Sequence, residues 1–341
     1  MAPKRATWQL QAGMAGVALL VLLVPGLGAA ANVGSSVDPS LGTVVPTHVL
    51  TTITVSCGAA SAAVDPAKDL VYAAGFGCVS VIDGSTNHVA RTLHFDGTVT
   101  AVAFDPAHGN LYVAVNEHPY QVEVINATTY RVVKDQVLGG YPTAALYARG
   151  RVFVTYALGP GVGGRIDHVA VFNTTTLDLV ARVPVGSYPG APTYDSWNHN
   201  LYVANATTVF EIRISDSRVV SSFTPTQGGG AWMFFDPRNG DLYLAHYDGS
   251  TVTVVAAASQ RVTASINVGD SPRGLAFDSQ NDRLCVANAG TNDVSVIDPF
   301  TESVVQTIPA GAGPDGVVFD PANQETYVTN AGTTTVTVLA S

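Results

Sequence analysis

A short phrase recurs along this chain at nearly constant intervals, and this repeat constrains the fold more than any single residue does. The clearest copies, 104–114 and 235–245, join a Phe-Asp-Pro step to a strand-like run containing Tyr. Seven aligned positions mark the repeat, with steps of 40, 41, 49, 41, 42 and 42 residues: Tyr72, Tyr112, Phe153, Tyr202, Tyr243, Cys285 and Tyr327. A period near forty with alternating strand pattern is typical of propeller blades.

Each repeat contains four runs rich in Val, Ile, Thr and Tyr, and the runs are separated by Gly, Pro, Asn and Asp. The last copy ends after its third run, at 335–339, whereas 48–55 forms a strand pattern with no repeat of its own. The sequence therefore predicts an all-β, seven-bladed β-propeller with four antiparallel strands per blade. We expect the N-terminal strand to complete the last blade and close the ring, which also removes an exposed sheet edge.

One aspartate precedes the marker position by seven residues in six of the copies: Asp65, Asp105, Asp195, Asp236, Asp278 and Asp320. Six carboxylates could suggest a metal or acid–base array. Because each stands just before a turn, and often before Pro, the pattern favours aspartates that accept backbone N–H groups and cap the turn.

The run Tyr-Val-Thr-Asn at 327–330 resembles the phrase that names the YVTN-repeat β-propellers, and 111–114 and 201–205 are close variants. The resemblance extends over 47–339. It implies a scaffold and an extracellular or periplasmic setting, since members are similar to surface-layer and adhesion-like proteins. Related propellers include lactonases, a streptogramin lyase and redox-cofactor subunits, so the resemblance by itself assigns no catalytic residue.

The first 31 residues read as a secretory signal, with Lys4 and Arg5 before an apolar run at 14–24 and a small-residue site at 29–31. An uncleaved anchor is the alternative, but the run is shorter than the about 20 residues that a spanning helix needs. We expect a signal over 1–31, a short extension over 32–46 and a single propeller over 47–341. We expect the mature chain to be secreted or extracytoplasmic, to have no transmembrane helix, and to be soluble or associated with the cell surface.

The net charge of −10 and the scarcity of lysine argue against nucleic acid and anionic membranes as partners. An unidentified protein or glycan of the cell envelope is the expected partner, and the sequence indicates no cofactor and no metal site. Three glycosylation acceptor triplets begin at Asn126, Asn173 and Asn205. Such triplets also arise by chance in a Thr-rich chain.

The three cysteines differ in their surroundings. Cys285 replaces the marker Tyr and is expected to be a buried thiol. Cys57 and Cys78 lie in loops that emerge on the same face of the first blade, which makes a disulfide between them geometrically sensible in an oxidising compartment. A metal pair is the rival interpretation, but no His stands nearby at ligand spacing.

Candidate ligand-binding residues gather where the inner strands begin, around the mouth of the central channel. Arg273 and Asp315 come from adjacent blades and are expected to pair across the opening, either as an ordinary rim ion pair or in a functional role. Trp232, Tyr141 and Tyr188 lie beside them as an aromatic lip.

His246 ends a strand at a position where other repeats have Asn, and the irregular loop 158–168 lies on the same face. A binding or interaction scaffold that uses this axial loop face is the favoured function, with no catalytic residue assigned. The alternative is a hydrolase or lyase of the lactonase or streptogramin-lyase kind at the channel mouth. An enzyme requires a converging polar cluster with perturbed acidity, whereas a binding module requires only a patterned rim.

Overall fold

The structure, a computed structural model, describes residues 48–158, 166–225 and 231–340. These residues form 26 strands, and no helix occurs within the described ranges. The all-β prediction is confirmed. The expected signal and extension over 1–46 lie outside the described residues.

The strands form six antiparallel sheets arranged around a central channel. The sheet that contains both chain ends consists of β1 (Val49–Thr54), β24 (Pro314–Asp320), β25 (Glu325–Asn330) and β26 (Thr335–Ala340). The largest sheet consists of β2 (Ala59–Asp65), β3 (Leu70–Asp83), β4 (His88–Asp105), β5 (Asn110–Asn116), β6 (Gln121–Asn126) and β7 (Arg131–Val137).

The other four sheets each contain four strands that follow one another in the chain. The first consists of β8 (Tyr141–Ala148), β9 (Arg151–Ala157), β10 (Asp167–Asn173) and β11 (Leu179–Gly186). The second consists of β12 (Thr193–Tyr194), β13 (Asn200–Ala204), β14 (Val209–Arg213) and β15 (Arg218–Phe223). The third consists of β16 (Ala231–Asp236), β17 (Asp241–His246), β18 (Thr251–Ala256) and β19 (Arg261–Asn267). The fourth consists of β20 (Pro272–Asp278), β21 (Arg283–Asn288), β22 (Asp293–Asp298) and β23 (Ser303–Pro309).

The prediction of seven separate four-stranded blades is wrong, because hydrogen bonding joins the strands into six sheets. The first two sequence repeats share the six-stranded sheet. Its strand β4 has 18 residues and runs without a break from the outer strand of the first repeat into the second repeat. Thr98 pairs with Phe76 on one side and with Asn116 on the other, so the hydrogen-bonded ladder is continuous there.

The predicted closure of the ring by the N-terminal strand is confirmed. Strand β1 pairs antiparallel with β26, and Ile53 is opposite Val336. Ile53 is buried against Tyr327 and Val338 of the same sheet and Val71 of the next one. The closing strand therefore contributes both hydrogen bonds and a hydrophobic contact at the junction between the two chain ends.

The marker position of the repeat is the centre of the core. The marker side chains are all at most 1% exposed: Tyr72, Tyr112, Phe153, Tyr202, Tyr243, Cys285 and Tyr327. In three repeats an Asn side chain of the preceding turn donates to the Tyr hydroxyl, over 3.4, 3.2 and 2.8 Å for Tyr202, Tyr243 and Tyr327. In these three repeats the packing unit is a buried Tyr ring with a polar contact at its tip.

The repeated aspartates cap turns, as predicted. In each case Oδ1 accepts the backbone N–H of the residue two positions later, for Asp65, Asp105, Asp195, Asp236, Asp278 and Asp320. All six are at most 2% exposed. These carboxylates lie at the ends of the innermost strands that are opposite the candidate site, so they do not contribute to that site.

Replacing Ile53 with Ala should lower the free energy of unfolding by about 2–4 kcal/mol, because a buried side chain is lost from the closing strand. Its neighbour Thr52 is exposed, and Thr52→Ala should change stability by no more than about 0.5 kcal/mol. Chemical denaturation of both variants measures the difference. Equal stabilities would contradict the role given to Ile53.

Burial raises the pKa of Asp320 to about 7, and the nearby Asp69 and Asp65 carboxylates add to the rise. Because an unfolded Asp ionises near pH 3.8, the folded state holds the extra proton between about pH 4 and 7. We expect the contribution of Asp320 to stability to decline as pH rises through this window. Asp320→Asn should flatten the decline in denaturation experiments at several pH values, whereas an unchanged slope would contradict this assignment.

Candidate functional site

The innermost strands surround a cavity of about 340 Å³ in the central channel. We use the name axial face for the side of the ring at which these innermost strands begin. Several of the strands have a β-bulge at this end, between Ala59 and Ser61, Val99 and Ala101, Pro142 and Ala144, Pro272 and Leu275, and Pro314 and Val317. Bulges redirect side chains, and here they occur where the channel opens.

Arg273 and Asp315 lie within two neighbouring bulges and form the predicted pair. Arg273 Nη1 donates to Asp315 Oδ2 over 2.9 Å. The Arg273 guanidinium also lies 5.8 Å from the ring centroid of Trp232, in a cation–π arrangement. Gly274, next to Arg273, permits the close approach of the two strands, because a Cβ atom there would collide with the Asp315 carbonyl oxygen.

The two members of this ion pair have different environments. Asp315 lines the cavity and is 7% exposed, whereas Arg273 is at the rim and does not line the cavity. Burial raises the pKa of Asp315, and the ion pair with Arg273 opposes that rise. The negative end of the pair therefore points to the cavity and the positive end points to the rim.

Tyr141 and Tyr188 are on the axial face but do not line the cavity. Tyr188 is 57% exposed. Its backbone N–H donates to Asp167 Oδ2 over 2.8 Å, and Leu158 N–H donates to Asp167 Oδ1 over 2.9 Å. The buried Asp167 thus fastens two loops of the axial face together, a role that its position in the sequence did not reveal.

His246 is buried at the end of β17, and its Nε2 lies 2.8 Å from Thr253 Oγ1. The next two repeats have the same arrangement at the same spacing of seven residues. Asn288 Nδ2 donates to Ser295 Oγ over 2.9 Å, and Asn330 Nδ2 donates to Thr337 Oγ1 over 3.0 Å. His246 therefore occupies a structural position of the repeat, and it does not line the cavity.

The predicted disulfide between Cys57 and Cys78 is confirmed, with the two Cα atoms 6.0 Å apart. It links the segment that follows the closing strand β1 to strand β3 of the six-stranded sheet. Cys285 is a free, buried thiol, and burial raises its pKa to about 12. This thiol is consequently protonated and unreactive at neutral pH.

The three Asn residues of the glycosylation triplets lie in turns. The Oδ1 atom of each accepts backbone N–H groups of the following Thr residues, for Asn126, Asn173 and Asn205. Nδ2 of Asn205 also donates to the Val185 carbonyl over 2.9 Å. Glycosylation itself stays a prediction.

Large apolar side chains are exposed on the axial face outside the cavity. Phe76 (67% exposed) lies within the long strand β3, and three others lie outside the strands: Ile166 (51%), Tyr188 (57%) and Tyr247 (43%). On the opposite face, Trp197 is anchored, since its Nε1–H donates to the Pro237 carbonyl over 2.7 Å. Phe300 lies in a turn of the opposite face and is 96% exposed. Tyr188 was predicted from the sequence as part of the aromatic lip. Phe76 and Tyr247 were not predicted, because each is a single residue outside the motifs of the repeat.

The part of the chain that the structure describes provides neither a metal-binding cluster nor a membrane-spanning helix. No group of three or more His, Cys, Asp or Glu side chains there has a geometry that could hold a metal ion. No helix among residues 48–158, 166–225 and 231–340 is long and apolar enough to cross a membrane.

Comparison with solved structures shows the fold. The Kuenenia stuttgartiensis hydrazine synthase matches with a TM-score of 0.73 at 18% identity, over 88% of this chain and 99% of that chain. The β-propeller domain of Myceliophteria thermophila Cps50 (Swd1) matches with a TM-score of 0.68 at 13% identity, over 86% of this chain and 99% of that one. The chain is a β-propeller. No protein-family model matches it, and a search of curated proteins gives no match.

Replacing His246 with Asn should keep the free energy of unfolding within about 1 kcal/mol of the original, because two neighbouring repeats use Asn at this position. His246→Ala should cost about 1–3 kcal/mol, since the buried Thr253 hydroxyl loses its partner. Thermal or chemical denaturation distinguishes the two variants. If His246→Asn were as damaging as His246→Ala, the structural role would be wrong.

Proposed function

We propose that this chain is an extracytoplasmic β-propeller of the YVTN-repeat type that acts as a binding scaffold. Its axial face holds a protein or glycan of the cell envelope. The observation that carries the proposal is the set of exposed apolar side chains on that face, above all Phe76, Tyr188 and Tyr247. Exposed rings on a rigid scaffold supply contact area at a small cost in conformational entropy, and such residues dominate many interfaces.

The compartment is supported by two independent features. The sequence at 1–31 has the pattern of a secretory signal. The Cys57–Cys78 bond is of the kind that persists in oxidising compartments. The Tyr-Val-Thr-Asn run at 327–330 supports the YVTN assignment, and in this fold it provides a core Tyr and a buried polar Asn.

The described residues favour binding over turnover at the channel mouth. His246 is buried and bonded to Thr253, and Arg273 is engaged with Asp315. A hydrolase or lyase needs acid, base and nucleophile directed at one point. Here His246 and Arg273 are engaged in contacts within the protein, while the rings of Phe76, Tyr188 and Tyr247 are exposed.

The rigidity of the axial face matters for this function. Asp167 fastens the loops that carry Leu158 and Tyr188, and the disulfide fixes Cys78 two residues from Phe76. A preorganised surface loses less conformational entropy when a partner binds. The exposed rings are thus held in place before contact.

The double variant Phe76→Ser, Tyr247→Ser should weaken partner capture at least tenfold, because aromatic anchors contribute most of the binding energy at interfaces. Both side chains are exposed, so the free energy of unfolding should change by only about 0.5 kcal/mol per substitution. Capture is measured by pull-down from envelope material with the immobilised chain, followed by mass spectrometry of proteins and analysis of glycans.

Phe300→Ser is the matched control, because it removes an exposed ring from the opposite face. It should leave capture unchanged. Loss of capture in the control, together with full capture by the double variant, would show that the other face is the working surface.

A further inference from the structure

The cavity in the central channel has the size and the apolar lining of a small-molecule binding site. Its walls are mainly apolar and include the rings of Trp232, Phe234 and Phe277. Phe234 and Phe277 are stacked, with centroids 5.9 Å apart. Concave apolar sites of about 300–1,000 Å³ with a few fixed polar groups are typical of small-molecule binding, and this cavity of about 340 Å³ falls in that range.

Asp315 is the one charged side chain among the residues that line the cavity in the described part of the chain. Its partner Arg273 approaches from the rim, so the cavity faces the carboxylate rather than the guanidinium. A carboxylate can accept about four hydrogen bonds. Among the described residues, only Arg273 donates one to Asp315.

At the other end of the channel an arginine packs on one of the aromatic rings of the cavity. The Arg238 guanidinium lies 4.0 Å from the ring centroid of Phe277. Arg238 is held there by Asp236 and Asp282, at 2.8 and 2.7 Å. Because these two carboxylates neutralise the guanidinium, Arg238 adds no net positive charge at that end, and Asp315 is the charged residue that lines the cavity.

We propose that the central channel binds a small apolar amine, protonated at neutral pH, whose ammonium group donates to Asp315. Its apolar body packs against Trp232, Phe234 and Phe277. The aromatic faces near the carboxylate add cation–π attraction for the ammonium group. An anionic ligand of the same shape is repelled by Asp315. A neutral alcohol donates a single hydrogen bond to the carboxylate, which is weaker than the bond from a charged ammonium group.

This site is distinct from the macromolecular surface proposed above, because Phe76, Tyr188 and Tyr247 do not line the cavity. A failure of one proposal therefore leaves the other standing. The two can be tested on the same purified protein with different ligands.

Three compounds with the same phenylalkyl body and different head groups test the proposal: 4-phenylbutylamine, 4-phenylbutan-1-ol and 5-phenylpentanoate. Isothermal titration calorimetry on the purified chain at neutral pH should show that the amine binds at least tenfold more tightly than the alcohol. The carboxylate should bind most weakly. Equal affinities, or a preference for the carboxylate, would overturn the proposal.

Asp315→Asn preserves the shape of the side chain and removes its charge, so the preference for the amine over the alcohol should fall below threefold. Asp248→Asn is the matched control, since Asp248 is an exposed acid on the same face outside the cavity. It should retain the preference. If both variants lost it equally, the preference would come from the general charge of the face and the role of Asp315 would be wrong.

Ala191 lines the cavity and lies outside the strands, so Ala191→Phe should fill part of the channel and abolish binding of both the amine and the alcohol. Undiminished binding in this variant would place the ligand elsewhere and overturn the proposal. Thermal unfolding confirms that each variant is folded. The comparison of the three compounds on the unmodified chain decides the ligand class even if a variant does not fold.

Discussion

The pairing of β1 with β26 is the contact on which the rest of the ring depends. Every other sheet is built from strands that follow one another in the chain, whereas this one joins the first described strand to the last three. Since the sheets pack side by side around the channel, the two ends of the chain must meet for the ring to be complete. The closure combines a hydrogen-bonded ladder with burial of Ile53, which seals the junction against water.

Features that follow from the repeat pattern were predicted well from the sequence. The marker residues are buried, the aspartates cap turns and the N-terminal strand closes the ring, because each of these follows from local chemistry or from the repeat count. The number of sheets was predicted wrongly. Sequence periodicity counts strands but does not reveal whether a strand ends between repeats, and here β4 continues through Thr98, which pairs on both sides.

Only part of the candidate site was predicted from the sequence, because the repeat register identifies some of its residues and not others. The Arg273–Asp315 pair and Trp232 could be found because the repeat register places them at the same level of adjacent sheets. Phe234 and Phe277 were missed as cavity residues, since in the sequence they read as ordinary strand residues that face the core. The role of His246 became clear only when its contact with Thr253 could be compared with those of Asn288 and Asn330.

The position of the Cys57–Cys78 bond affects how readily the closing strand can exchange between two chains. Cys57 follows the closing strand by a few residues, and Cys78 belongs to the six-stranded sheet. If β1 separates from β26, the backbone that leads into β2 already holds its C-terminal end beside the six-stranded sheet, and the disulfide adds a second attachment, to β3. Its local concentration near the vacated edge then remains high, and re-pairing is an intramolecular step that competes favourably with exchange between two chains.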